Sequence, residues 1–104
     1  MKNMTRTIEV SEDEKKEIKD YDDLIGRKFF FRTVTYHCTG LVTARVGSLL
    51  RLENAAWIAD SGRFMDCIKN GTLNEVEPVG TMYLNMSTIV DMFEWKHKLP
   101  EEQK

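Results

Sequence analysis

The chain has 104 residues, 41% of them apolar and 31% charged, with a formal net charge of −2 and a pI near 5.7. That length suits a single domain spanning residues 1–104, and the composition excludes disordered and collagen-like chains, while no apolar run approaches the ~20 residues of a membrane span. The first residues, MKNMTRTIEV, are polar and lack the apolar stretch that export requires, so a cytoplasmic setting, or a virion if the chain is phage encoded, is expected and no membrane partner is.

Residues 5-TRTIEV-10 alternate with Ile8 and Val10 on one side, which predicts a short strand. The run 11-SEDE-14 reads as a capping box, with Ser11 and Glu14 exchanging backbone contacts, and predicts a helix that ends at Gly26. Ile18, Tyr21 and Leu24 or Ile25 fall at helical spacing along it.

From Lys28 the pattern turns to β. The run 28-KFFFRTVTYH-37 is rich in aromatic and β-branched residues, 40-GLVTARV-46 follows, and 48-SLLRLEN-54 comes after a tight turn at Gly47. Connections this short predict a three-strand antiparallel meander over 27–54, with a bend or bulge at Gly40. Residues 55–80 read as an insertion, in which 61-SGRFMDCIKNG-71 is a short helix capped by Ser61 and stopped by Gly71. Two further strands, 81-TMYLN-85 and 88-TIVDMFEW-95, precede a tail over 96–104 with no periodicity, expected to be extended or frayed. The fold class that results is α+β, mainly β: a small, strongly bent antiparallel barrel with a helix before it and a helical insertion inside it.

The matching pieces 24-LIGRKFFFRTVTYHCTGLVTARVGSLLRLENA-55 and 81-TMYLNMSTIVDMF-93 resemble the Sm-like superfamily, including the bacterial host-factor RNA chaperone, and share much with SH3-like barrels. The resemblance implies a homo-oligomeric ring joined through edge strands, since an open barrel leaves edges for another copy. It does not extend to the RNA-binding positions. The turn between the last two strands, 84-LNMS-87, has no Lys, Arg, His or Gly, and the loop after the second strand is only Val46-Gly47-Ser48. The short, Met-rich chain with its Trp-Lys-His-Lys-Leu-Pro segment also resembles small phage proteins.

Charge is distributed unevenly: residues 27–53 hold five bases, Arg27, Lys28, Arg32, Arg45 and Arg51, against one acid. Such a block suits either an anion-binding face or solvated strand residues opposite the acids of residues 1–26, and the second reading is favoured. The modest pI argues against nonspecific duplex binding.

Two cysteines, Cys38 and Cys67, are too few for a disulfide framework and are expected to be reduced and buried. With His37 and His97 they show no metal-ligand spacing, so neither a metal nor any other cofactor is expected. No nucleophile motif or paired carboxylate pattern is present, and the chain is read as noncatalytic. Its expected function is that of a homo-oligomeric assembly or interaction protein, with Trp95 and Leu99 as candidate interface residues. The alternative is a binding module for a nucleotide or short single-stranded nucleic acid. In that reading Ser61, the amides of Gly62 and Arg63, and the Arg63 side chain hold a phosphate. Trp57 and Phe64 flank the segment and stack on a base, and Arg32 and Arg45 supply a basic face.

Overall fold

The computed structural model describes residues 17–104. The strand expected at 5–10 and the capping box at 11–14 lie outside the described residues. The part of the expected helix before residue 17 also lies outside them; residues 17–19 are not helical, and Tyr21–Leu24 form one 3-10 turn. Asp20 caps it by accepting from the Asp22 amide, and Asp23 reaches back to the Asp20 amide. Of the apolar positions proposed for a helical stripe, only Leu24 is buried, while Ile18, Tyr21 and Ile25 are exposed. A run of Asp20, Asp22 and Asp23 favours such local side-chain bonding over continued helix, because short acidic side chains compete for the backbone amides.

Five strands follow: β1 (Lys28–Thr33), β2 (His37–Val46), β3 (Leu49–Asp60), β4 (Glu75–Asn85) and β5 (Ile89–Glu94). They form one antiparallel sheet in the order β4-β3-β2-β1-β5. A helix, α1 (Phe64–Asn70), lies in the β3–β4 connection. Among the described residues β4 and β5 do not pair with each other, so the sheet has two edge strands.

Several boundaries differ from those expected. β1 ends at Thr33, because the Thr33 hydroxyl accepts from the amides of Thr35 and Tyr36 and donates to the Tyr36 carbonyl, closing a turn. Nothing in Thr-Val-Thr-Tyr announces it, since all four are good strand formers. The insertion is shorter than 55–80: β3 continues through Asp60 and β4 begins at Glu75, leaving only 61–74 between them. Between β4 and β5 the turn is a 3-10 segment, Met86–Thr88, capped by Asn85.

The run Phe29, Phe30 and Phe31 is buried throughout, which requires apolar cover on both faces of the sheet. Phe29 and Phe31 join Leu24, Cys38, Val42, Leu50, Leu52, Ala55 and Leu84 in a first core. Phe30 points the other way, into a second core with Ala56, Ile58, Cys67, Leu73, Val76, Trp95 and Leu99.

Bulges let the long strands serve both cores. In β3, Leu50 and Leu52 face the first core, yet Ala56 and Ile58, at the same parity, face the second. The phase changes because the register slips between Leu52 and Ala55, where Asn54 takes a left-handed φ of 50°. One extra residue moves every later side chain to the opposite face. Gly40 sits opposite this slip, as its place in the sequence predicts: a Cβ there would lie 3.0 Å from the Leu52 Cβ.

The tail is ordered rather than frayed. Trp95 is stacked on Phe30 at 5.9 Å between ring centroids, and its Nε1 donates to the Lys98 carbonyl at 3.2 Å. His97 Nε2 donates to the Ile68 carbonyl at 2.8 Å, tying the tail to α1. Gly71, at φ 75°, ends α1 as expected, and a Cβ on it would come within 2.7 Å of the His97 ring.

Candidate functional site

The residues expected to hold a phosphate do not form a cradle. α1 starts at Phe64 with Arg63 as its cap residue, and no side chain, including that of Ser61, makes a cap bond. The Gly62 amide is taken by the Asp60 carboxylate at 2.8 Å, and the Ser61 hydroxyl donates to the Gly62 carbonyl at 3.3 Å. This local turn delays the helix by two residues, from an expected cap at Ser61 to Arg63, because the carboxylate takes the Gly62 amide.

Trp57 and Phe64 do not flank a common space either. Trp57 lies directly opposite Cys38, hence on the face of the first core, and remains 41% exposed. Phe64 packs on the second core, on the other face. Arg32 and Arg45 are likewise apart. Arg32 pairs with His37 at one end of β2, and Arg45 sits eight residues further along, about 26 Å in an extended strand.

Three bases of the block form ion pairs with acids outside residues 1–26. Arg27 bridges to Glu94, Arg32 to Asp91, and Arg51 to Glu53. Arg45 donates to the Gly47 carbonyl and lies 5.2 Å over the Tyr21 ring.

Of these, Arg32 has the most specific surroundings. Its Nε and Nη2 donate to the two oxygens of Asp91 at 2.7 and 2.6 Å, in the forked geometry that suits guanidinium and carboxylate. The guanidinium lies 4.7 Å from the Phe64 ring and 5.5 Å from that of Phe93, and those two rings meet edge to face at 5.2 Å. The hydrogen bonds from Arg32 hold the Asp91 carboxyl below its ordinary range. His37 is pushed down by burial first and by the nearby Arg32 charge second, which favours a neutral ring. Asp91 stands 59 residues from Arg32 in the chain, and no spacing in the sequence signals that they meet.

Trp95 and Leu99, the expected interface residues, are 2% and 9% exposed and close the chain's own second core. Among the described residues, no three His, Cys, Asp or Glu side chains gather to hold a metal ion, and no helix is long and apolar enough to cross a membrane.

Among the described residues the fold presents β4 and β5 as edge strands with no further strand beyond them, and hydrogen-bond alternation tells which backbone groups face outward. In β4, the Met86 amide donates inward to the Ser48 carbonyl. Counting back along the register, Asn85, Tyr83 and Thr81 direct their backbone groups outward. In β5, the Trp95 amide donates to the Lys28 carbonyl, so Glu94 and Met92 are the outward residues. Large apolar side chains flank both edges: Val79 and Tyr83 on β4 are 50% and 53% exposed, and Val90 at the β5 bulge is 66% exposed.

No protein-family model matches the chain, and no curated protein does. Among solved structures it is similar to a heptameric archaeal Sm protein, at 19% identity and a TM-score of 0.47, over 70% of this chain and 91% of that one. It is also similar to the SmAP1 heptamer of P. aerophilum, at 19% identity and a TM-score of 0.48, over 70% of this chain and 84% of that one.

Proposed function

We propose that the protein is a noncatalytic assembly module in which the β5 edge of one copy adds to the β4 edge of the next. The observation that carries this reading is the match between the two edges. Each offers a pair of outward residues at a spacing of two, Thr81 and Tyr83 on β4 and Met92 and Glu94 on β5. Antiparallel strands exchange their bonds at every second residue, so the two pairs are complementary. Each hydrogen bond contributes only about 0.5–1.5 kcal/mol net, and burial of the exposed apolar side chains beside the edges supplies the remainder. Because two different edges meet, the contact is head to tail, and copies close into a ring when the rotation between neighbours permits.

The test removes one outward donor without touching the sheet. Tyr83→Pro deletes an N–H that points away from β3, which an edge strand tolerates, whereas Tyr83→Thr keeps it. Light scattering at micromolar concentration is expected to give a multiple of the monomer mass for the native chain and for Tyr83→Thr, and a lower mass for Tyr83→Pro. A native protein that runs as a monomer overturns the reading.

A further inference from the structure

Among the described residues the β4 edge is open along only half its length. In its first half Val76 directs both backbone groups outward, and both are taken: its amide donates to the Lys104 carbonyl at 3.1 Å, and the Lys104 amide donates to its carbonyl at 2.9 Å. The next outward position is Pro78, which has no N–H to offer. Beyond it the strand bulges, since Ala56 lies opposite Pro78 while Ala55 lies opposite Gly80, leaving Val79 as the extra residue. A paired end, an edge proline and a bulge are three separate ways of keeping another strand away. The second half, from Thr81, has none of them.

The first device is supplied by a segment distant in sequence, and that segment is firmly held up to Leu99. Trp95 and Leu99 are buried in the second core, His97 is bonded to α1, and Lys28 Nζ donates to the His97 carbonyl at 2.6 Å. Residues beyond Pro100 are exposed, and within them the contact that meets the sheet is the Lys104 pair with Val76.

We propose that residues 101–104 are a strap that restricts self-assembly. While Lys104 occupies Val76, a second copy finds only Thr81–Asn85 to pair with. When the strap leaves, the first half of β4 becomes another site for a strand of a second copy, and association continues past the closed oligomer. The inference rests on the edge-pairing reading above for its partner, a further copy of this chain.

The experiment compares the full chain carrying Pro78→Val with the same chain ended at Pro100, so that loss of the strap is the one difference between them. Trp95 and Leu99 remain, and protection of the Cys67 thiol from a labelling reagent reports that the shortened chain is folded. Light scattering is expected to show for it a mass roughly doubled or more and rising with concentration, as unguarded edges give. Adding Val79→Lys, which places a charge on the same half-edge, is expected to return the mass to the value of the full chain carrying Pro78→Val. Hydrogen exchange supplies a reading on the native protein alone: the Val76 amide is expected to be protected, and to lose protection when the chain ends at Pro100. An unchanged mass in the folded, shortened chain, or a native Val76 amide that exchanges freely, overturns the proposal. The two readings fail separately. A monomeric native protein removes the edge-pairing reading, while a gain in mass on losing the strap still establishes the strap.

Discussion

Phe29 and Phe31 enter one apolar cluster and Phe30 the other, and the two clusters are assembled in different ways. The first is built almost wholly from the sheet, with strands that follow one another by short turns, and Leu24 from the turn just before β1. The second joins β1 and β3 to α1, to Leu73, and to the segment carrying Trp95 and Leu99, more than sixty residues from Phe30. Closing a longer loop costs more chain entropy, so the second core is expected to open more readily than the first.

The largest test of that asymmetry is Trp95→Ala. Removing a buried aromatic costs about 3–5 kcal/mol wherever it sits, so Phe31→Ala and Trp95→Ala are expected to lose similar stability in chemical denaturation. Their consequences differ. Each core holds one cysteine, Cys38 in the first and Cys67 in the second, and both are fully buried. In Trp95→Ala, Cys67 is expected to react with a thiol reagent while Cys38 stays protected. Simultaneous reaction of both would show that the cores open as one.

A smaller effect is expected from pH. Burial pushes the Cys38 thiol up to about 12 and the Cys67 thiol up to about 11, from an ordinary value of 9.0. The unfolded chain therefore releases these protons at lower pH than the folded one. Their contribution to stability is fully present below pH 9.0 and falls as the pH rises toward 11 and 12. Denaturation midpoints measured between pH 8 and 10.5 are expected to fall, and to fall less in Cys67→Ala relative to its own value at pH 8; equal slopes would remove the cysteine contribution.

The smallest change is Thr39→Val. Thr39 lies opposite both Phe30 and Ala56, hence toward the second core, and its Oγ1 is buried with no hydrogen-bond partner among the described residues. Replacing an unsatisfied hydroxyl by a methyl is expected to stabilise the protein by about 1 kcal/mol. A loss of stability would show that the hydroxyl is satisfied in solution.

The five strands, an irregularity at Gly40 and the left-handed stop at Gly71 were legible, because β-branched and aromatic runs and glycines act locally. The ends of β3 and β4 were not. Ala-Ala-Trp-Ile-Ala-Asp carries no strong strand signal, and Pro78 suggests a loop until its outward position on an edge strand is known. The candidate site residues are not brought together for a related reason. Trp57, Phe64 and Arg63 are neighbours in sequence, but the period of two along β3 and the turn at Asp60 send their side chains to different faces.

By itself the sequence determined the strand-rich class, the antiparallel order of the meander and the positions where only glycine fits, since each follows from the local preferences of a few residues. The tertiary structure alone decided which face each side chain takes after the slip at Asn54, where Arg32 finds Asp91, and that Trp95 and Leu99 turn inward while half of one edge stays open. Those outcomes depend on register and on contacts between distant residues, where displacement by a single residue reverses a face.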